Sequence, residues 1–216
     1  MRLLDIVLPP ACAGCGRFGA LLCARCLADF RPPGDPSARF VVADAGVVIG
    51  EDLIAAVTAF AYHGAIRRVL QRVKYGGTAR VAEALARAAL PALRGLLDVS
   101  GPATLVPVPL HPTRLRERGF NQAALLSQAL AGGAAVPTRN LLVRHRATTK
   151  QHGLDRTARI RNLAAAFRVA DEATPPPSVV IVDDILTTSA TMESCAIVLR
   201  AAGCQRVYGF ALAREV

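Results

Sequence analysis

The stretch VVIVDDILTTSAT, residues 179–191, restricts the fold of this chain more than any other segment. Four consecutive β-branched residues, Val179, Val180, Ile181 and Val182, form a strand with no apolar/polar alternation, as expected for a strand covered on both faces. Asp183 and Asp184 fall at its carboxyl end, and a hydroxyl-rich turn leads directly into a helical composition over residues 192–202. Open α/β sheets place ligands at that edge, where free amides and the helix dipole attract phosphate. Two carboxylates there can accept hydrogen bonds from vicinal sugar hydroxyls or hold Mg²⁺ through water. Together these features describe a clamp for ribose 5-phosphate. The competing reading is a polar turn whose Thr and Ser side chains only cap a helix.

From Thr104 onward, short apolar runs alternate with helical segments, which predicts a parallel sheet covered by crossover helices. The strands expected are residues 104–107, 141–144, 179–182 and 207–212, with an earlier one over 57–62. Ile66, Val69, Leu70 and Val73 recur at helical spacing in a segment stopped by Gly76-Gly77, whose other face carries Arg67, Arg68, Arg72 and Lys74. A second helix is expected over 79–93. Asn121 is a cap for a third, reaching Ala131 and ended by Gly132-Gly133, and Asp155 for a fourth that carries Ile160, Leu163 and Ala164 inward.

Four of the six cysteines cluster as Cys12-x2-Cys15-x7-Cys23-x2-Cys26. Two short Cys-x2-Cys loops can aim four thiolates at one tetrahedral Zn²⁺; redox pairs or disulfides are the rival readings. A segment of about 30 residues buries too little apolar surface to fold alone, so metal ligation would fold it. Arg31-Pro-Pro-Gly-Asp-Pro36 follows as a linker. The expected organisation is therefore a four-Cys module and linker over 1–36 and an α/β domain over 45–216. Cys195 and Cys204 read as core thiols.

At 216 residues and 52% hydrophobic, the chain has enough apolar material for one core domain plus an appendage, and general disorder is excluded. No apolar run is long and charge-free enough to span a membrane, and the N-terminus lacks the pattern of a secretory signal, so a cytoplasmic location is expected. The net charge of +10 is concentrated: residues 114–168 hold eleven Lys and Arg against Glu117 and Asp155, a local excess of nine. Such a field draws in a pyrophosphorylated sugar or a nucleic-acid backbone, although an Arg-rich solvated surface has the same composition.

The segment 179–191 resembles the phosphoribosyl-pyrophosphate signature of type I phosphoribosyltransferases. A narrower resemblance, to the ComF family of competence-associated phosphoribosyltransferase-like proteins, runs over nearly the full length. It is carried by the four-Cys N-terminus, YHGAIRR at 62–68 with Lys74-Tyr75-Gly76, VPVPLHP at 106–112, RLRERGFNQ at 114–122, and Gln151 with Arg159-x-Arg161-Asn162 before Ala166-Phe167. The resemblance implies a type I phosphoribosyltransferase fold, a mostly parallel sheet flanked by helices, with a small N-terminal zinc module. It implies that Asp183 and Asp184 contact the ribose hydroxyls, that Thr187, Thr188, Ser189, Ala190 and Thr191 grip the 5-phosphate, and that Mg²⁺ sits on the pyrophosphate. It further implies a role in DNA uptake by natural transformation, with single-stranded DNA and competence-machinery proteins as partners. Ser189 departs from the family, which usually has Gly there. Glycine takes φ > 0 at little cost whereas serine is strained, which weighs against tight substrate binding.

Val108 and Pro109, ending a strand at the ligand edge, are candidates to meet pyrophosphate oxygens through constrained backbone amides, or else form a Pro-stiffened loop. Arg118-Gly119-Phe120 reads as flexible enough to close over a ligand, with Arg118 reaching it. In type I transferases a mobile hood covers the reacting carbon. Residues 148–153 are the candidate for part of it, with Lys150 neutralising departing pyrophosphate beside the catalytic candidates Asp183 and Asp184. His63, His111, His145 and His152 are scattered, and none stands out as a general base.

Overall fold

The structure is a computed structural model describing residues 9–33, 52–76, 79–146 and 163–215. The expected lid over 148–153 with Lys150, the Asp155-capped helix start and the module boundary after residue 33 lie outside the described residues.

Four strands form one parallel sheet: β1 (Ala55–Ala61), β2 (Thr104–Pro107), β5 (Ser178–Leu186) and β6 (Arg206–Arg214), in the order β1-β6-β5-β2. The β-branched run of β5 sits in the centre and is fully buried over 179–182. Because successive side chains point to opposite faces, it divides between two cores. Val180 and Val182 pack with Phe210 under α2 (Gly64–Gly76), α3 (Ala79–Ser100) and α5 (Gln122–Ala134). Val179 and Ile181 pack on the other face with Val207 and Ala211 under α6 (Ala190–Ala201), which contributes Met192, Cys195 and Leu199. The expected core role of Cys195 and Cys204 agrees with their burial.

Several boundaries differ from expectation. Helix α3 runs through Pro91 to Ser100, beyond Leu93, because Leu93 and Leu96 are buried in the first core and their packing outweighs the amide that proline lacks. Helix α5 is capped by Asn121, whose Oδ1 accepts from the Ala123 amide at 3.0 Å, but it continues through Gly132-Gly133 and ends with Ala135 in the left-handed region. A Cβ on Gly133 would stand 3.3 Å from the Leu90 side chain, so glycine there lets α5 approach α3. A short helix not expected from sequence precedes the Arg118-Gly119-Phe120 segment: α4 (Pro112–Arg118) starts at Pro112, with His111 Nδ1 accepting from the Thr113 amide at 3.3 Å, and is capped by Gly119, φ 77°. The strand expected over 141–144 exists but does not join the parallel sheet: β3 (Leu142–Arg144) forms a separate antiparallel pair with β4 (Phe167–Val169), a strand too short to show a period of its own.

The four-Cys segment, with α1 (Ala24–Ala28), is docked on α2. Arg68 Nε donates to the Gly14 carbonyl at 2.8 Å and an Arg72 guanidinium nitrogen donates to that of Cys12 at 3.1 Å. The Asp29 carboxylate accepts from the Ala65 amide at 2.6 Å, and the Phe30 and Phe60 rings meet at 5.0 Å. Ala13, Cys26 and Phe30 belong to the same apolar cluster as Ile66 and Val69. Among the described residues, no helix is long and apolar enough to cross a membrane.

Candidate functional site

Strand β2 stops at Pro107, opposite Val182, with one further bond from the Val108 amide to the Val182 carbonyl at 2.9 Å. Strand β5 does not stop there: Ile185 and Leu186 continue to pair with Ala213 and Arg214 of β6. The acid pair therefore lies inside the second half of β5 rather than after it, beside the gap left where β2 ends. Asn121 holds the wall of that gap, its side-chain amide donating to the Val108 carbonyl at 2.9 Å.

A cavity of about 190 Å³ opens at this place. Asp183, Asp184, Thr191, Val108, Pro109 and Arg118, all singled out from sequence, line it. Four others from the turn do not: Thr187 and Thr188 are exposed, and Ser189 and Ala190 are buried at the start of α6. Ser189 is the N-cap at φ 55°, ψ −12°, in the left-handed region that glycine would occupy freely. Its hydroxyl donates to the Thr188 carbonyl at 2.6 Å, and its own carbonyl accepts from the Glu193 amide at 2.9 Å.

Lys74, Arg114 and Arg144 also line the cavity, so four cations, counting Arg118, surround two carboxylates. Lys74 Nζ stands 3.6 Å from Asp184 Oδ2. From sequence, Lys74 is assigned to a cationic helix face and to a family motif with Tyr75 and Gly76, and Arg144 to a strand end, neither of them to the acid pair. Amphipathic spacing identifies the face but not the acid it meets, and nothing in a three-residue strand signals that its last side chain reaches a site. The Arg144 guanidinium lies over the Phe167 ring, 5.3 Å from its centroid, and burial followed by the Arg114 charge lowers its pKa.

Asp183 Oδ1 accepts the Asp184 amide proton at 2.8 Å. Burial first, and the Asp184 charge second, push the Asp183 carboxyl well above the usual carboxylate range, with the backbone bond and Lys74 opposing. A cation, or hydroxyl donors on a sugar, would relieve that desolvated charge. The oxygen donor set of the pair suits Mg²⁺ as a hard ion.

The thiolate sulfurs of Cys12, Cys15, Cys23 and Cys26 all lie within 4.8 Å of one another. The Cys15 and Cys23 sulfurs are 3.7 Å apart, close to the edge of about 3.8 Å that a tetrahedron with Zn–S bonds of about 2.3 Å requires. The residues fit zinc. Burial works to raise the Cys12 thiol, but backbone amides of Cys23, Cys15 and Gly14 outweigh it and bring the value to about 6. Burial and the neighbouring thiols push Cys26 up to about 12. Metal binding must therefore displace protons from some of these thiols.

No protein-family model matches the chain. Competence protein F of Haemophilus influenzae is 31% identical over 214 residues, covering 95% of this chain and 85% of that protein. The DNA utilization protein YhgH of Salmonella typhimurium is 33% identical over 217 residues, covering 98% and 86%. Among solved structures, Trypanosoma cruzi hypoxanthine phosphoribosyltransferase aligns over 63% of this chain and 66% of its own at 16% identity, with a TM-score of 0.39. The fold is a parallel α/β sheet flanked by helices, preceded by a compact four-Cys segment. With about a third of its residues identical to these relatives along almost its whole length, the chain belongs to the competence protein F, or ComF, family.

Proposed function

We propose that this protein binds phosphoribosyl pyrophosphate with Mg²⁺ in the cavity beside β5 and contacts single-stranded DNA during DNA uptake. One observation carries the first half: a carboxylate pair and four cations line the same cavity at the carboxyl edge of a parallel sheet. Asp183 and Asp184 would accept the ribose hydroxyls, Thr191 at the α6 N-terminus would donate to the 5-phosphate, and Arg114, Arg118 and Arg144 would face the pyrophosphate. Lys74 holds Asp184 in place until a sugar hydroxyl takes over that contact. Mg²⁺ supplies neutralisation of the pyrophosphate when bound. Thr187, Thr188, Ser189 and Ala190 serve the phosphate through the turn they build rather than through the cavity wall, and Lys150 is proposed to cover the leaving pyrophosphate. Zinc held by Cys12, Cys15, Cys23 and Cys26 is structural.

The DNA half draws on the names competence protein F and DNA utilization protein borne by the relatives, and on the basic excess over residues 114–168. Calorimetry tests the sugar site: replacing both Asp183 and Asp184 by Asn abolishes phosphoribosyl pyrophosphate binding, and unchanged affinity refutes it. Oligonucleotide affinity should fall steeply with added salt, since each phosphate contact releases counterions; a flat profile removes the DNA half.

The second reading is an active transferase that moves ribose 5-phosphate onto a base or amine without a DNA role. The cations facing the cavity favour it, because charge developing on departing pyrophosphate would be stabilised there. Pyrophosphate release across a panel of nucleobases and amines distinguishes the two.

A further inference from the structure

A second groove, of about 610 Å³, lies between α3 and the part of the four-Cys segment that joins its two Cys pairs, residues 19–22, with Pro10 and Leu27, away from the cavity beside β5. Its lining combines an apolar floor, including Leu21, Leu27, Ala84 and Ala88, with Arg80 and Arg87 of α3. Those arginines are seven residues apart, two helical turns or about 10 Å along one face. None of the described residues lining the groove is a carboxylate. Phe18, one residue from the lining Gly19, is 73% exposed, and Leu27 is 39% exposed. Both are among the few large apolar side chains left open to solvent in the described residues.

The backbone that carries Phe18 is held. Its residue bridges Ala11 in antiparallel fashion, the next amide, Gly19, donates to the Pro10 carbonyl at 3.0 Å, and the preceding carbonyl, Arg17, accepts from the Cys12 amide at 2.8 Å. The exposed ring thus starts from a bonded turn that carries Cys12 and Cys15, beside the groove. An exposed aromatic on a bonded turn, an apolar trough and cations spaced along one wall match the chemistry of a single nucleic-acid strand. Bases stack on aromatic faces, and phosphates follow the basic edge. A double helix hides its base faces and has no use for such a ring.

We propose that this groove is a binding track for single-stranded DNA, with a base stacked on Phe18, neighbouring bases against Leu21 and Leu27, and phosphates held by Arg80 and Arg87. The proposal rests on the DNA half of the proposed function and locates it on the zinc-bearing face rather than at the sugar cavity. Charge complementarity selects nucleic acid over an apolar peptide, which would leave the arginines facing hydrocarbon.

The test uses the full, zinc-loaded chain and a fluorescein-labelled oligothymidylate. Phe18→Ala should weaken binding roughly tenfold, from the loss of one stacked base. Arg87→Ala should lower the dependence of log affinity on log salt by about one unit. The chain contains no tryptophan, so Phe18→Trp introduces a sole reporter, whose emission should be quenched on titration with the oligonucleotide. Absence of any oligonucleotide binding by the unaltered chain would overturn both this track and the DNA half of the proposed function. Normal binding by the unaltered chain with undiminished affinity in both Phe18→Ala and Arg87→Ala would overturn the track alone and leave the groove to a protein partner. Unquenched indole emission from the Phe18→Trp variant, in a complex seen by anisotropy, would do the same.

Discussion

Replacing Asp183 by Asn should stabilise the ligand-free protein while abolishing the sugar binding proposed for it. Asn keeps an Oδ1 acceptor for the Asp184 amide, now 2.8 Å from the carboxylate, and leaves Asp184 paired with Lys74 at 3.6 Å, so the substitution removes little besides the charge. That charge is desolvated and stands next to a second carboxylate. Relief of an imperfectly solvated buried group is worth about 1–3 kcal/mol. For a chain of this size each kcal/mol moves Tm by about 2–4 °C, so a rise of about 2–12 °C is expected at alkaline pH. The sign with pH follows from the raised carboxyl. As pH climbs past the ordinary value of 3.8 the unfolded chain loses its proton first, so the native state binds more protons and the stability of the unaltered protein falls through that window. The Asn variant lacks this loss, and its advantage should widen with pH and then level off. Differential scanning fluorimetry with zinc present, from about pH 5.5 to 9, follows the difference between the two proteins. An Asn variant that melts at or below the unaltered protein at every pH would show that Asp183 is not desolvated in the native state.

Other consequences are quicker to state. Lys74→Met removes the cation that opposes the rise at Asp183, so the Asp183 carboxyl should titrate still higher in NMR, and calorimetry should show weaker phosphoribosyl pyrophosphate binding. Gly14→Ala would bring a Cβ to 2.7 Å from the Cys26 sulfur, and zinc retention against a competing chelator should drop by at least about tenfold, equivalent to about 1.4 kcal/mol. Removing zinc altogether should melt the four-Cys segment, seen as faster amide exchange over 9–33, since that segment lacks an adequate core of its own. Ser189→Gly should exceed Ser189→Ala in stability by about 0.5–1 kcal/mol, because both lose the hydroxyl but only alanine still bears the left-handed strain; equal stabilities would contradict the φ of 55°.

How much of this was legible beforehand depended on whether local pattern or distant partners set the outcome. The β5 run, the Asn121 cap and the helix through Ile66 and Val73 each follow from side-chain period or from a side chain acting on its own backbone, and the structure contains them. Helix α4 went unread, although Pro112 at its start and Gly119 just past its end are the local signals that mark it. The end of β5 was not, because whether Asp183 and Asp184 stay in a strand depends on β6 continuing beyond them. The proposed sugar site was readable in its acids, in Thr191 and in Arg118. Lys74 and Arg144 were not assigned to it, because they sit on separate elements far from the acid pair in the chain, and only the crossover geometry brings them to one wall.

Helix α2 also serves as a ruler. Arg68 and Arg72 hold the carbonyls of Gly14 and Cys12 in the first Cys-x2-Cys loop, and Lys74, half a turn further on, holds Asp184. The separation between the four-Cys cluster and the acid pair is thereby counted in residues on one rod. A single inserted residue between Arg72 and Lys74 would swing the ammonium by about 100° and advance it by about 1.5 Å, detaching the acid pair without touching either site directly.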